Sequence, residues 1–452
     1  MKLSDAVMNL LANHGIRHLF HDRSAASPEK TSLLAAAARS GIAAEGLPDL
    51  ALAEAAAEGC SAAAGRPAAV IGTSGPQGGC TALLLLLYSE KEGFPALPSG
   101  RLAADGATPP FHSEDAASFD AVAGAADLYA KIGKALFLAD RARSLRASFR
   151  LTGITLEQNA DSLPLQPFKE SEAYWELLAS EPPIRDSDLD GLIESLRESK
   201  RPLLAVGAGV RLSGAAAELR ELLELTGIPA AASLGGLDSL PSGSPLHLGL
   251  ADGSRPSKPD LVLALGCTSA FCGCLRGTGA RVIRVNYQSC RYGSPEGSPD
   301  FNSDPRLFLT ALCSRLRAIG FSRSPKATRR KLPASGSPLP AVLLPDALLI
   351  ARPDLPGLRK LLNRSPLRPG QRLISIAGGP ERTAAAAYGA MIARPDRAAA
   401  LMADSRSLSA IPSELLKRLA PAGSEPMPSP LPGSRILLLP LRKPAASGPS
   451  VI

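Results

Sequence analysis

The feature that most constrains this chain is a helix of small residues that leads, through a glycine, into a buried strand. The helix is predicted over residues 49–64 and the strand over residues 68–71, followed by a turn that reads Thr-Ser-Gly-Pro over residues 73–76. Alternation of helices and strands recurs along the chain and predicts parallel sheets with helices on both faces. The expected fold class is therefore α/β with doubly wound parallel sheets. The apolar run that ends at Tyr88 is predicted as a further helix.

The length of the chain requires more than one hydrophobic core. It has 452 residues, and single cores stop growing at about 250–300 residues. The pattern of elements predicts three domains, over residues 1–180, 185–320 and 341–452, each built on a parallel sheet. Residues 321–340 are rich in Ser, Pro, Arg and Lys and are predicted to form a linker.

Composition excludes several classes of protein. A hydrophobic content of 45% with 20% charged residues is typical of a globular chain. The longest apolar stretch, residues 82–88, is too short to cross a bilayer, and residues 1–5 are not followed by the apolar segment of a signal peptide. We therefore expect a cytoplasmic protein that does not bind a membrane.

Positive charge is concentrated in one segment. The formal net charge is +8, and the densest basic cluster consists of Arg323, Lys326, Arg329, Arg330 and Lys331. These side chains alternate with Ser and other small residues and have no aromatic residues between them, which favours a solvated linker over a nucleic-acid surface. No nucleic-acid partner is expected.

Three parts of the sequence, taken in order, resemble thiamine-diphosphate enzymes of the acetolactate synthase type. The first is the helix-strand-turn run over residues 56–76. The second comprises residues 201–214 and 260–266 in the middle of the chain. The third extends from the Gly378-Gly379 pair to residues 388–397. The resemblance implies a pyrimidine-binding domain, a central Rossmann-like domain and a truncated diphosphate-binding domain.

The same resemblance implies cofactors and the residues that would hold them. Thiamine diphosphate and Mg²⁺ are the family's cofactors. The positions that match the family's cofactor-binding segments are Thr73, Ser74, Gly75, Pro76, Gly378 and Gly379. An ordinary strand-to-helix turn is an equally acceptable interpretation of the first four residues, because Ser, Gly and Pro are common turn residues.

The family's activating glutamate is replaced. It stands eight residues before a Glu-Gly pair, and counting back from Glu58 places Leu50 at that position. In the family the glutamate hydrogen-bonds the aminopyrimidine and promotes deprotonation of the thiazolium carbon, which a leucine cannot do. One branch of the family, the glyoxylate carboligases, has an aliphatic residue at this position, so the replacement alone does not exclude catalysis. Asp49 is a poor substitute, because neighbouring residues on a helix point about 100° apart.

The family's metal motif is also incomplete. Its Gly-Asp-Gly sequence becomes Ala403, Asp404 and Ser405, so that Asp404 is the candidate Mg²⁺ ligand. The second ligand should be an asparagine further along the chain, but no asparagine follows Asn363. Mg²⁺ requires near-octahedral oxygen ligands, and the loss of one weakens its hold on the diphosphate. A solvated aspartate at a strand end is an equally good interpretation of Asp404.

Two further motifs have a functional and a structural interpretation. Gly207, Gly209 and Gly214 form a weak phosphate-loop signal, consistent with FAD or a nucleotide in the central domain, although a structural turn is favoured. A cysteine group, namely Cys267, Cys272, Cys274 and Cys290, lacks the paired spacing typical of zinc sites. Cysteine is also a common core residue beside buried strands.

Two functions follow from the resemblance. The first is an acetolactate synthase-like enzyme of the transferase or lyase type, which would decarboxylate or ligate a 2-oxo acid. The second is a non-catalytic pseudoenzyme that acts as a regulatory or assembly subunit, and the altered motifs favour it slightly. Because the family places its cofactor between two subunits, the resemblance implies a homodimer or homotetramer. An intact paralogue is the alternative partner.

Overall fold

The computed structural model describes residues 1–23, 27–74, 80–87, 122–142, 145–151, 154–179, 183–240, 244–251, 258–276, 279–287, 300–321, 346–364, 367–368, 370–419, 427–428 and 437–440. These residues form three sheets of five, six and five strands, each with its own helices. The predicted α/β class with three domains built on parallel strands is confirmed. The exact domain boundaries stay a prediction, and the predicted linker lies outside the described residues except for Phe321 at its start.

The first domain has a mixed sheet in the strand order β2-β1-β3-β4-β5. Strands β1, β2 and β3 are parallel, whereas β4 is antiparallel to both β3 and β5. Its strands are β1 (His18–Asp22), β2 (Ala43–Leu47), β3 (Ala68–Ser74), β4 (Cys80–Leu87) and β5 (Leu145–Arg150), and its helices are α1 (Leu3–Asn13), α2 (Pro28–Arg39), α3 (Leu50–Ala64), α4 (Ala125–Ala142) and α5 (Glu172–Ala179).

The helix predicted to end at Tyr88 is wrong, because residues 80–87 form strand β4. A short, continuously apolar run has no periodicity that separates a buried strand from a buried helix. The outcome is decided by tertiary pairing, since β4 lies between β3 and β5 and hydrogen-bonds to both.

The central domain has a fully parallel sheet in the order β11-β10-β9-β6-β7-β8. Its strands are β6 (Pro202–Val206), β7 (Ala230–Ala232), β8 (His247–Leu250), β9 (Leu261–Leu265), β10 (Arg281–Asn286) and β11 (Phe301–Asn302), and its helices are α6 (Asp186–Glu198), α7 (Ala208–Leu212), α8 (Ala216–Thr226), α9 (Ser269–Arg276) and α10 (Pro305–Ala318).

The third domain repeats the arrangement of the first. Its sheet has the order β13-β12-β14-β16-β15, with three parallel strands followed by two antiparallel ones. Its strands are β12 (Leu348–Ala351), β13 (Arg372–Ser375), β14 (Ala399–Ala403), β15 (Met427–Pro428) and β16 (Leu437–Pro440), and its helices are α11 (Leu358–Arg364), α12 (Pro380–Ala393), α13 (Ser405–Ala410) and α14 (Ser413–Leu419). Helix α3, which connects β2 to β3 in the first domain, is equivalent to helix α12, which connects β13 to β14 in the third.

The third sheet lies between the other two domains. Alternate residues of a strand point to opposite faces. Along β12, Leu349 and Ala351 join a core shared with the central domain, whereas Leu348 and Ile350 join a core shared with the first domain. The two interdomain cores therefore use opposite faces of one sheet.

Helices α3 and α12 meet at an unusually close distance. A side-chain carbon at Gly59 would overlap the carbonyl oxygen of Ala386, and one at Gly389 would overlap the carbonyl oxygen of Ala56. Each helix thus contributes an alanine and, three residues later, a glycine to the contact: Ala56 and Gly59 in α3, and Ala386 and Gly389 in α12. Helix α3 is well delimited, with Asp49 as its N-cap and Gly65 in the left-handed region at its end (φ 70°).

A buried carboxylate lies where all three domains meet. Asp238 lies in a 3₁₀ turn of the central domain (Leu237–Ser239), and its side chain is 5% exposed. Its oxygens lie 3.3 Å from Nε of Arg211 and 3.9 Å from Nε of Arg372 on β13. Arg372 also donates a hydrogen bond of 2.9 Å to the carbonyl of Ala63, in the last turn of α3. One arginine thereby contacts both other domains.

We expect Gly59→Ala and Gly389→Ala each to lower the free energy of unfolding by about 1–3 kcal/mol, because backbone, rather than a mobile side chain, fills the space. Chemical denaturation measures this. Gly191→Ala in α6 is the matched control, since nothing lies within 4 Å of the added carbon. It should stabilise by about 0.5–1 kcal/mol, and equal effects of all three variants would contradict the close packing.

Asp238 gives the chain a characteristic pH dependence. Burial raises the pKa of Asp238 to about 6, above its ordinary value, although Arg211 opposes the shift. A raised pKa in the folded state means that the group stabilises the protein at low pH, and that this contribution is lost as pH rises through about 6. Relative to Asp238→Asn, the wild type should therefore lose about 2–3 kcal/mol of unfolding free energy between pH 4 and 7. A pH-independent difference between the two proteins would contradict this.

Candidate functional site

Leu50 occupies the first position of α3 and packs against the backbone of β3. A side-chain carbon built on Gly72 would lie 2.8 Å from Cδ2 of Leu50, so the leucine fills the space above this glycine. Gly72 directly precedes Thr73 and Ser74, which end strand β3 instead of beginning a turn. The alternative of a strand-to-helix turn is wrong, because the next described element is strand β4, which pairs with β3. The structure thus places Leu50 beside the predicted cofactor turn, while Gly75 and Pro76 lie outside the described residues.

The neighbouring carboxylate is already engaged. Asp49 is the N-cap of α3, and its Oδ1 accepts a hydrogen bond of 2.8 Å from the amide of Leu52. An N-cap of this type satisfies one of the free amides of the first helical turn. Asp49 therefore has a structural role that holds its carboxylate on the helix axis.

The predicted Gly378-Gly379 turn leads into the N-terminus of α12. Gly378 adopts a φ of 118°, which only glycine tolerates without strain. Its open side is covered by Arg382, whose Cδ lies 2.6 Å from an added side-chain carbon. The open side of Gly379 is covered by the carboxylate of Glu381, with Oε2 at 2.6 Å from such a carbon.

Arg382 connects this turn to the first domain. Its Nη1 donates a hydrogen bond of 3.1 Å to the carbonyl of Ala51, the residue after Leu50. Its Nη2 lies 3.4 Å from Oε2 of Glu58. The structure therefore brings Leu50 and the glycine turn together, at the two ends of one arginine side chain.

Asp404 follows β14 and is the N-cap of α13. Its Oδ1 accepts a hydrogen bond of 2.7 Å from the amide of Ser407. This hydrogen bond is the main cause that lowers the pKa of Asp404, with smaller contributions from Arg352 and Arg406. The candidate metal ligand thus has an internal partner.

A positively charged side chain, Arg352, lies near Asp404 at the carboxyl ends of the parallel strands β12 and β14. Arg352, at the end of β12, forms a bidentate pair with Asp354 at 3.0 and 2.6 Å. This pair is the main cause that raises the pKa of Arg352, and the charges of Asp404 and Glu381 raise it further. Arg352 is therefore paired with one carboxylate and lies within the electrostatic influence of two others.

A small cavity lies beneath this edge. Arg352, Pro380, Thr383, Ala403 and Ser407 contribute to its lining, and its volume of about 10 Å³ is room for one water molecule. Among the described residues no group of three or more His, Cys, Asp or Glu side chains could hold a metal ion.

The glycine-rich turn of the central domain has a structural explanation. The amide of Gly207 donates to Leu265 and that of Gly209 donates to Gly266, at 2.9 and 3.0 Å. A side-chain carbon at Gly209 would lie 2.7 Å from the Cα of Gly266. These two amides are thus used by β9, which favours the structural interpretation over a phosphate loop.

The cysteine group belongs in part to the central core. Cys267 and Cys272 are buried, and both belong to the apolar cluster beneath α9. The thiol of Cys267 contacts the carbonyl of Ala205 at 3.4 Å. Nothing is described of the Cys274 side chain or of Cys290.

Four residues of this site were not predicted as functional candidates from the sequence: Glu58, Arg352, Glu381 and Arg382. Glu381 and Arg382 immediately follow the Gly-Gly pair, and this adjacency is the signal that could have identified them. Arg352 and Glu58 carry no comparable local signal, because the tertiary fold alone brings them to the site.

Comparison with known proteins gives a consistent picture. Residues 189–293 match the model of the thiamine pyrophosphate enzyme, central domain. The chain is 31% identical over 112 residues to a probable acetolactate synthase large subunit of Methanococcus aeolicus, covering 22% of the chain and 19% of that protein. It is 41% identical over 85 residues to acetolactate synthase 1, chloroplastic, of Zea mays, covering 17% and 13%. It is 30% identical over 142 residues to acetolactate synthase 2, chloroplastic, of Nicotiana tabacum, covering 29% and 21%.

The matched segments thus span about a fifth or less of these relatives. Within the part of the chain that the structure describes, no helix has the length and apolar character required to cross a membrane.

Asp404 gives a direct test of its structural role. We expect Asp404→Ala to lower the free energy of unfolding by about 1 kcal/mol through loss of the N-cap. Asp404→Asn should retain most of that stability, because asparagine caps equally well. Thermal denaturation with and without MgCl₂ measures both effects. A Mg²⁺-dependent rise in melting temperature for the wild type, absent from Asp404→Asn, would show instead that Asp404 binds the metal.

Proposed function

The chain is a relative of the thiamine-diphosphate enzymes that is acetolactate synthase-like, and on this premise we propose that it retains the family's fold without the family's catalysis. The observation that carries the proposal is Leu50. It packs against Gly72 at the position where the resemblance places a glutamate. An aliphatic side chain there can neither donate nor accept the proton that activates the cofactor.

The residues present fit thiamine diphosphate and Mg²⁺ poorly. The carboxylate of Glu381 covers the Gly378-Gly379 turn, where the resemblance places the diphosphate. The two negative groups would repel each other there. A divalent cation would have to compete with the amide of Ser407 for Asp404.

The fold itself supports a structural role. The third domain shares one hydrophobic core with the central domain and another with the first domain, through opposite faces of its sheet. A protein of this kind is suited to act as a regulatory or assembly subunit, either as a homodimer or homotetramer or together with an intact paralogue. In the last case the partner would supply the missing glutamate and metal ligand.

The alternative, an active enzyme on a 2-oxo acid, requires a glutamate or an equivalent base from elsewhere. Among the described carboxylates, that of Asp49 is nearest in sequence to Leu50. It already accepts a hydrogen bond from the amide of Leu52 as the N-cap of α3. The nucleotide-binding alternative in the central domain is weakened by Gly207 and Gly209, whose amides bond to β9 and the glycine that follows it.

Calorimetric titration tests the proposal. We expect no saturable heat when the full chain is titrated with thiamine diphosphate and Mg²⁺. The carboxylate of Glu381 covers the Gly378-Gly379 turn, and Asp404 already accepts a hydrogen bond as the N-cap of α13. FAD and ADP serve as parallel titrants for the nucleotide alternative. Saturable binding of thiamine diphosphate at micromolar concentration, or consumption of pyruvate by the isolated chain, would overturn the proposal.

A further inference from the structure

Two consecutive side chains, Glu381 and Arg382, close the glycine turn from which α12 begins. Each covers one glycine: the carboxylate of Glu381 lies over Gly379 and the stem of Arg382 lies over Gly378. We propose that this pair is an internal plug, in which Glu381 occupies the anion-binding end of α12 and Arg382 fastens the plug to the first domain.

The electrostatic basis is the N-terminus of α12. A helix of 14 residues presents free amides and a partial positive charge at its first turn, and these attract anions. Glu381 is the acidic residue of that turn. Its carboxylate lies over Gly379, the residue from which α12 begins, so an anion from solution would have to displace it.

A second cation lies near the first turn of α12. Arg352 lines the same small cavity as Pro380 and Thr383, which belong to that turn. The charge of Glu381 also contributes to raising the pKa of Arg352. When Glu381 is removed, the helix terminus and Arg352 are left without this carboxylate.

Arg382 provides the mechanical part of the plug. Its guanidinium is held by the carbonyl of Ala51 at 3.1 Å and by Glu58 at 3.4 Å, both on α3. It is 24% exposed and Glu58 is 20% exposed, so the pair is partly shielded from water. Because α3 and α12 are fixed against each other by Gly59 and Gly389, the arginine cannot follow an outward movement of the turn without losing both partners.

The ligand class that the plug excludes is a compound with a diphosphate group. This inference rests on the proposed function, since it explains why the glycine turn does not accept the family's cofactor. It predicts that the turn retains a latent capacity for such anions, which a single substitution should release.

The test is calorimetric titration of inorganic pyrophosphate, in EDTA, into the full chain and its variants. Glu381→Ala removes both the charge and the bulk, and we expect pyrophosphate to bind it at least about tenfold more tightly than it binds the wild type, which corresponds to about 1.4 kcal/mol. Glu381→Gln keeps the size without the charge and should gain less. Glu172→Ala, at the exposed start of α5, makes the same change in net charge elsewhere and should gain nothing.

A further variant identifies the cation involved. Adding Arg352→Ala to Glu381→Ala should abolish the gain if Arg352 holds the pyrophosphate. Melting temperatures of all variants establish that they are folded. A folded Glu381→Ala protein with the same weak binding as the wild type would overturn the plug while leaving the proposed function intact. Binding of thiamine diphosphate by the wild type would instead overturn the proposed function.

Discussion

The contact between α3 and α12 is the interaction on which the remaining arrangement depends. Two glycines, Gly59 and Gly389, allow the backbones of these helices to approach until each carbonyl occupies the place of a side chain. The first and third domains are thereby fixed by main-chain geometry, which tolerates little adjustment because interiors are close-packed. The positions of Leu50 and of the glycine turn relative to each other follow from this contact, since they lie at the N-terminal ends of the two helices.

The second general feature is that the charged groups at the carboxyl edge of the third sheet neutralise one another. Asp404 caps α13, Arg352 pairs with Asp354, and Glu381 covers Gly379. These hydrogen bonds and ion pairs join groups of the chain itself and stabilise the fold at this edge of the sheet.

Sequence reasoning recovered the class of fold but not the details that decide function. The helix before Gly65 and the strand after it were identified correctly, because a capped Ala-rich helix and a short apolar strand have strong local signals. Strand β4 was misassigned as a helix, because five consecutive leucines carry no periodicity and only pairing with β3 and β5 fixes their conformation. Leu50 and Asp404 were identified by their spacing from neighbouring motifs, yet their contacts could not be foreseen.

What the sequence by itself determined is most of the order of elements, though not strand β4, together with the three α/β domains and the chemical identity of the critical positions: a leucine, an aspartate and a pair of glycines. These follow from local periodicity, turn chemistry and spacing, which short stretches of chain encode. Only the tertiary structure decided that Arg372 contacts both other domains and that Glu381 and Arg382 cover the glycines. Arg372 contacts Ala63, which is 309 positions away, so that contact is set by helix and sheet packing rather than by local sequence. The contacts of Glu381 and Arg382 with the glycines are local, but they depend on side-chain conformations that the packing of α12 against α3 selects.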